Sequence, residues 1–188
     1  VSASLCVQFS LCAGMELDEE AFSALKAAVA KEAARERAVR ILTASAVSER
    51  ELEKRLVQKG TLPADAADAV AWLKEHRFLD DAATAAQLVD SAVRKGYGRA
   101  RVKNILYEKG IPKDLWDEAL ARIPAMDDAI DRFLAAKLRG RTADEKTIKK
   151  TIDALLRRGF SYGEIRDALR RYEADLEDLE LEETMTED

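Results

Sequence analysis

The chain has 188 residues, 31 basic and 36 acidic, with a formal net charge of −5, and this length suits one domain or a few small units that share a core. A hydrophobic fraction of 47% excludes wholesale disorder, while few Gly, Pro and aromatic residues favour an all-helical protein, because Ala, Leu, Glu, Lys and Arg lose little on entering a helix. Cys6 and Cys12 lack the spacing of a zinc site or a disulfide framework, which indicates a reducing, cytoplasmic environment.

Residues 1–33 predict two helices broken at Gly14. Leu5 and Phe9 are one helical turn apart and Ser2 can cap that helix, although the alternating apolar residues also fit a short strand. The apolar opening lacks a basic leader and is too short to span a bilayer, so we expect neither a targeting signal nor a membrane segment.

The rest of the chain is organised by a repeat of about fifty residues. ELEKRLVQKG ends at Gly60, RVKNILYEKG at Gly110 and KTIDALLRRG at Gly159, and a leucine lies four residues before each glycine. Such a period predicts a repeated supersecondary unit. We place an N-terminal helical segment at residues 1–33, three-helix repeats at 34–79, 80–126 and 127–173, and an acidic tail at 174–188.

Each repeat is predicted to contain three helices with apolar residues on one face. In the second helices these are Leu52 and Leu56; Val102, Ile105 and Leu106; and Ile148, Ile152, Leu155 and Leu156. Spacings of three and four residues place these side chains together. The sequence therefore predicts an all-α array of three-helix repeats.

Polar residues mark where the helices begin, and glycines where they end. The three periodic glycines fit C′ positions, where a left-handed residue ends a helix. Ser48 followed by Glu51 is a capping-box pattern, and the pairs Asp80–Asp81 and Asp127–Asp128 are interpreted as caps before the first helices of repeats two and three. A Mg²⁺ site is the weaker interpretation of these pairs, because adjacent carboxylates diverge.

No catalytic, cofactor or metal site is predicted. The GYG at 96–98 lacks the strand and third glycine of a dinucleotide loop and is interpreted as a helix terminator. His76, the single histidine, has no serine or cysteine constellation to serve, and we expect it at the surface. Trp72 and Trp116 are expected in the core.

Basic residues in the second and third repeats form the candidate binding surface. They are Arg94, Lys95, Arg99, Arg101 and Lys103 in the second repeat, with Tyr97 among them, and Arg139, Arg141, Lys146, Lys149, Lys150, Arg157 and Arg158 in the third. Such a surface suits a polyanion or an acidic protein partner, although lysine and arginine near helix C-termini are also favoured by the helix dipole.

The end of the chain carries the opposite charge. Residues 173–188 contain nine acids and no base, whereas residues 1–172 contain 31 bases and 27 acids. We expect the tail to be solvated and able to compete for the basic surface.

The sequence resembles the RecX family, whose members regulate the bacterial RecA recombinase. The resemblance rests on SERELEKRLVQKG in the first repeat, FLDD at residues 78–81, and RKGYGRARVKNILYEKGI in the second repeat, and it covers most of residues 34–172. One departure is Thr84, where family members usually carry an aromatic residue before an alanine; it puts one packing contact in doubt.

The resemblance implies a non-enzymatic, monomeric protein without cofactors. It would bind the RecA–DNA filament along its groove, inhibit ATP hydrolysis and strand exchange, and promote disassembly, in recombination, DNA repair and the SOS response. A repeat array can present the extended surface that this role needs. The alternative is a direct DNA-binding protein that competes with the recombinase for DNA.

Overall fold

The structure, a computed structural model, describes residues 1–138 and 145–173. Its helices in these ranges are α1 (Ala3–Gln8), α2 (Glu19–Ala44), α3 (Glu49–Gln58), α4 (Pro63–Glu75), α5 (Asp81–Arg94), α6 (Arg99–Glu108), α7 (Trp116–Ala121), α8 (Asp127–Leu138), α9 (Glu145–Arg157) and α10 (162–173), with a 3₁₀ turn at Lys113–Leu115 before α7. The described ranges contain no strand, and none of their helices is long and apolar enough to cross a bilayer. The prediction of an all-α protein is confirmed.

The N-terminal segment begins with a helix, as predicted. The Ser2 Oγ accepts a hydrogen bond from the Leu5 amide at 3.3 Å and donates one to Glu32 Oε2 at 2.7 Å. Leu5 is buried, whereas Val7 is 81% exposed. A strand would place these two side chains on the same face, so their different burial follows from the helical turn.

Helix α2 is continuous across position 33, where the sequence analysis expected the first repeat to begin. It runs for 26 residues, about 39 Å at the rise of an α-helix, from the Asp18 cap to Ser45. No glycine or proline interrupts this stretch, which is rich in alanine. The predicted second N-terminal helix and the first helix of repeat one are therefore a single element.

The described chain forms two compact units. The first comprises residues 1–84 together with Lys109–Ile111. Its core is formed by small and aliphatic side chains of α2, α3 and α4 and the segments beside them: Ala34, Ala38, Ile41, Val47, Leu52, Leu56, Ala66, Ala69, Val70, Leu73 and Leu79. Trp72 packs against this core but stays partly exposed, so the expectation of a core tryptophan is met only at its edge.

The second unit comprises Ala85–Glu108 and the described residues from Pro112 onward. One of its apolar clusters joins α8, α9 and α10 through Ile130, Leu134, Leu138, Leu155, Phe160, Ile165 and Ala168. Val102 and Leu106 are fully buried, in agreement with the predicted stripe of α6, and Val89 of α5 is fully buried as well. Trp116 is partly buried, again at less depth than expected.

The periodic glycines end helices in the predicted way. Gly60, Gly110 and Gly159 have φ angles of 85°, 70° and 90°, in the left-handed region. After Gly60, for example, the Thr61 amide donates to the Leu56 carbonyl at 3.0 Å, which closes the last turn of α3.

The start of α3 is held by residues distant in sequence. The Ser48 Oγ accepts from the Glu51 amide at 3.1 Å, as the predicted cap requires, and donates to the Lys109 carbonyl. The Glu51 carboxylate contacts Arg55 and, at 3.3 Å, Lys109 Nζ. The loop at Lys109–Ile111 thus belongs to the first unit through contacts with α3.

The two aspartates of the Asp80–Asp81 pair cap different helices. Asp80 Oδ1 accepts from the Ala82 and Ala83 amides at 2.8 and 3.0 Å, so it caps α5 as predicted. Asp81 Oδ1 instead accepts from the Glu49 amide at 2.8 Å and so caps α3. In the other pair, Asp127 and Asp128 lie within the first turn of α8, where the helix dipole favours acids.

Removal of the Asp81 carboxylate should destabilise the first unit. In Asp81→Ala the half-buried Glu49 amide loses its acceptor, and we expect the free energy of unfolding at neutral pH to fall by about 1–3 kcal/mol. Asp81→Asn keeps an oxygen acceptor and should stay within about 1 kcal/mol of the wild type. Urea unfolding of both variants measures this, and equal losses would contradict the capping role.

The wild type and Asp81→Asn also test how the stability of the first unit depends on pH. Burial raises the pKa of the Asp81 carboxyl, because the charged form is desolvated. The folded protein then binds the proton more readily than the unfolded chain, so this group makes stability fall as pH rises from the ordinary Asp pKa through the raised one. Across that window the wild type should lose stability relative to Asp81→Asn, which cannot titrate there.

Candidate functional site

The predicted basic residues fall on two stretches of the second unit. Arg94, Lys95, Tyr97, Arg99, Arg101 and Lys103 lie at the end of α5 and in α6, and Lys146, Lys149, Lys150, Arg157 and Arg158 lie in α9 and just after it. Arg139 and Arg141 lie outside the described residues.

The structure joins these two stretches through their backbones. The Gly98 amide donates to the Arg158 carbonyl at 2.8 Å, and the Ala100 amide donates to the Gly159 carbonyl at 3.1 Å. The start of α6 therefore satisfies carbonyls at the end of α9, two sets of groups that have no partners within their own helices. The basic residues near position 100 and those near position 158 share one neighbourhood.

The two glycines of GYG have different roles. Gly96 has a φ of 68° and ends α5, as the terminator interpretation predicted. At Gly98 a Cβ atom would lie 2.4 Å from the Gly159 carbonyl oxygen, and at Gly159 it would lie 2.2 Å from the Arg101 amide nitrogen. Gly98 is needed for this close backbone contact, which the sequence analysis did not foresee.

Helix α9 presents a row of cations. Lys146, Lys149, Lys150 and Arg157 are all exposed. Their spacing of three, four and seven residues places them on one face, while Leu155 is buried on the opposite face. Lysine side chains on such a face are free to reach an anionic partner.

In α6, two of the three predicted cations, Arg99 and Lys103, are exposed, and Arg101 is half-buried. Tyr107, one turn after Lys103, is 72% exposed. Arg99 Nη1 also donates to the Leu120 carbonyl at 3.3 Å, and Arg101 pairs with Glu108 at 3.1 Å. The two arginines therefore hold parts of the second unit as well as carrying charge.

Arg158 is also engaged within the unit. Its guanidinium carbon lies 4.8 Å from the centre of the Phe133 ring, and its Nη1 donates to the Lys95 carbonyl at 3.3 Å. A cation over an aromatic face is an attractive contact. Among the predicted residues, Arg158 thus contributes to packing, whereas its neighbour Arg157 is exposed.

Other arginines of the second unit are paired with acids. Arg122 pairs with Asp90 at 2.9 Å, and Arg171 pairs with Asp131 at 2.9 Å and with Asp127 at 3.2 Å. The hydrogen bond to Asp90 raises the pKa of Arg122, and that to Asp131 raises the pKa of Arg171. The lysines of α9 carry their charge outside these pairs.

The first unit holds a basic cluster that the sequence analysis missed. A cavity of about 390 Å³ is lined by Arg37, Arg40, Ile41, Ala44, Arg55 and Lys59. The signal was present as two close pairs of cations, three residues apart in α2 and four apart in α3. The sequence does not show the cluster as one site, because only the approach of the two helices brings the pairs together.

One expectation outside the basic surface is met, and one departure from the family pattern can be located. His76 is exposed, and its Nδ1 lies 2.8 Å from the Trp72 carbonyl oxygen at the end of α4. Thr84, the departure from the family pattern, is buried beside the fully buried Ala85. A smaller side chain fills that position without leaving it open to solvent.

Comparison with known proteins identifies three consecutive domains. Residues 34–73 match the model of the RecX first three-helix domain, residues 80–120 the second, and residues 127–169 the third. Together these matches cover more than half of the chain.

Whole proteins give the same result. A "Regulatory protein RecX" of Cronobacter sakazakii is 33% identical over 153 residues, which cover 73% of this chain and 91% of that protein. One from Escherichia coli is 32% identical over 151 residues, with 73% and 90% covered.

Solved structures share the fold. A crystal structure of regulatory protein RecX matches with a TM-score of 0.75 and 23% identity, covering 90% of this chain and 88% of the other. RecX from Lactobacillus salivarius matches with a TM-score of 0.65 and 18% identity, covering 78% and 99%. From the three domain matches and the curated relatives, the chain belongs to the RecX family of regulatory proteins.

Proposed function

We propose that this protein is a non-enzymatic negative modulator of the RecA recombinase. It binds the RecA–DNA filament along its groove, inhibits ATP hydrolysis and strand exchange, and promotes disassembly of the filament in the cytoplasm. The family supports a regulatory role. The observation that carries the proposal is the exposed cationic face of α9, because a filament groove presents phosphates and acidic side chains that such a face can contact.

The contacts of the basic residues narrow the proposed binding surface. Lys103, Lys149, Lys150 and Arg157 are exposed and lie outside the internal contacts described above, so they are the residues best placed to meet a partner. Arg99 and Arg158 are poorer choices for mutation, because each donates to a backbone carbonyl of its own unit. If their replacement weakened binding, the effect of the lost charge could not be separated from the effect of an altered structure.

Removal of two charges from α9 should weaken inhibition. For Lys149→Gln/Lys150→Gln we expect the concentration that halves the DNA-dependent ATP hydrolysis of the cognate recombinase to rise about tenfold, which corresponds to about 1.4 kcal/mol. Thermal unfolding should be unchanged, because both side chains are exposed. The matched control is Lys26→Gln/Lys54→Gln, which removes the same charge from exposed positions of α2 and α3.

The control should inhibit like the wild type. If the two double variants inhibit equally, the α9 face is not the working surface. If the wild-type protein leaves ATP hydrolysis unchanged at stoichiometric ratios, the proposed function itself is wrong.

Direct DNA binding is the second candidate, and the row of lysines on one face of α9 favours it. Titration of salt against binding to bare single-stranded DNA separates the two. Tight binding to bare DNA at physiological salt would support competition for DNA. The slope of log affinity against log salt concentration should then be smaller in magnitude by about one to two units in Lys149→Gln/Lys150→Gln. Weak binding to bare DNA beside tight binding to the filament supports the first proposal.

A further inference from the structure

The cavity between α2 and α3 of the first unit combines charge with an apolar floor. Arg37, Arg40, Arg55 and Lys59 supply four cations around Ile41 and Ala44 in a volume of about 390 Å³. Lysine or arginine at the end of α3 is expected from the helix dipole, but the dipole does not account for the two arginines of α2, which lie before its last turn. These six residues are called the repeat-one cavity below.

Several of the guanidinium groups are held in place by their neighbours. Arg37 Nη1 donates to the Thr61 hydroxyl at 2.6 Å, and Arg55 Nη1 donates to the Ser45 hydroxyl at 3.2 Å. Arg40 pairs with Glu36 at 2.7 Å. Side chains that are already ordered lose less conformational entropy when a ligand binds, so the arrangement favours recognition.

The acids near the cavity do not match its cations. Glu36 pairs with Arg40 and is itself 72% exposed, while Glu51 is shared between Arg55 and Lys109. Four cations thus face two carboxylates, one of which also serves a cation outside the cavity. The surplus positive charge favours an anionic ligand.

The turn beside the cavity is open, unlike its two equivalents. At Gly110 a Cβ atom would lie 3.3 Å from the Arg50 side chain, and at Gly159 it would lie 2.2 Å from the Arg101 amide. At Gly60, whose neighbour Lys59 lines the cavity, no described atom lies within 4 Å of that position. In the second and third repeats another protein segment covers this turn, whereas in the first repeat a partner can approach it.

Apolar surface is exposed on both sides of the same turn. Val57 is 40% exposed and Leu62 is 67% exposed. A peptide can place aliphatic side chains on Ile41, Ala44 and these residues, whereas nucleic-acid bases stack mainly on aromatic side chains, and none lines the cavity. The surroundings therefore suit a protein partner better than a nucleic acid.

We propose that the repeat-one cavity binds an acidic peptide segment that carries an apolar side chain and belongs to a partner protein. The carboxylates contact Arg37, Arg40, Arg55 and Lys59, and the apolar side chain packs on Ile41 and Ala44. Recognition of an acidic motif by clustered arginines, with an apolar anchor for specificity, is a common mode of peptide binding. This surface shares no residue with the basic surface in α6 and α9, and its test needs no recombinase.

Fluorescence anisotropy with the full chain and three labelled probes tests this at physiological salt. The probes are a short peptide of alternating Glu and Leu, a peptide of alternating Glu and Ser with the same length and charge, and oligothymidine with the same number of charges. We expect the Glu–Leu peptide to bind most tightly. Arg40→Gln/Lys59→Gln should raise its Kd at least about fivefold, or about 1 kcal/mol.

The control is Lys26→Gln/Lys54→Gln, which removes two exposed charges from the same two helices at positions that do not line the cavity. It should bind the Glu–Leu peptide like the wild type. If both double variants lose the same affinity for the Glu–Leu peptide, the loss follows from net charge alone and the proposal is overturned. So would equal affinity for the Glu–Ser peptide, stronger binding of oligothymidine, or binding of no peptide at all.

A shortened chain that ends at residue 173 tests whether the protein's own C-terminal segment occupies the repeat-one cavity. The segment 174–188, with acids and leucines, has the same chemistry as the Glu–Leu peptide. If the shortened chain binds the probe with the affinity of the full chain, the cavity is available to a partner. If removal of the segment raises the affinity about tenfold or more, the cavity belongs to the protein's own tail, and the assignment to a partner is wrong.

Discussion

Gly159→Ala should unfold far more easily than the wild type, with a loss of about 2–5 kcal/mol in the free energy of unfolding. An alanine at a φ of 90° costs about 1–2 kcal/mol in backbone strain. Its Cβ atom would also lie 2.2 Å from the Arg101 amide nitrogen, so the backbones of α6 and the turn after α9 would have to separate, at a further cost of about 1–3 kcal/mol. Urea unfolding followed by circular dichroism measures the loss.

Gly60→Ala is the matched control for this prediction. Gly60 has nearly the same φ, 85°, and ends the equivalent helix of the first repeat, but no described atom lies within 4 Å of its added Cβ. It should lose only the strain, about 1–2 kcal/mol. Equal losses at the two positions would show that the close approach of Gly159 to Arg101 adds nothing to stability.

Leu155→Ala is expected to destabilise the second unit by about 2–5 kcal/mol. The side chain is fully buried and belongs to the cluster of α8, α9 and α10 that also contains Ile130, Leu134, Phe160 and Ile165. The substitution removes three buried heavy atoms, so the free energy gained by transferring them from water is lost. It also leaves a cavity that the closely packed neighbours cannot fill completely. The midpoint of urea unfolding should fall accordingly.

The adjacent residue supplies the comparison. Leu156 belongs to the same predicted stripe, but it is 41% exposed in the structure. Leu156→Ala should cost less than about 1 kcal/mol, because much of that side chain stays in water in the folded state. A similar loss for both leucines would mean that the burial of α9 differs from that described here.

The repeat and its core were predictable from the sequence because burial follows helical spacing. Leu56, Leu106 and Leu155, four residues before the periodic glycines, are each fully buried. The glycines themselves adopt the left-handed conformation that ends a helix. Both features depend on short stretches of chain, for which spacing and residue type suffice. The boundaries placed between the repeats remain a prediction.

The fine structure of the basic surface could not be predicted, because it depends on residues distant in sequence. Arg157 and Arg158 are adjacent residues of the same type, yet Arg157 is exposed and Arg158 packs on Phe133. Arg99 is exposed, yet its guanidinium donates to the Leu120 carbonyl, a contact that the sequence does not indicate. The choice of the thirteen residues as a binding surface remains a proposal.

The cap that Asp81 provides to α3 bears on whether one repeat can be duplicated or lost independently of its neighbour. Repeat proteins can lengthen or shorten when a gene segment encoding one whole repeat is duplicated or lost. Here the first compact unit borrows Asp81 and Lys109–Ile111 from the segment that encodes the second repeat. Loss of that segment would leave the first unit without two of the groups that hold the start of α3. The first repeat therefore depends on its neighbour for the groups that hold the start of α3.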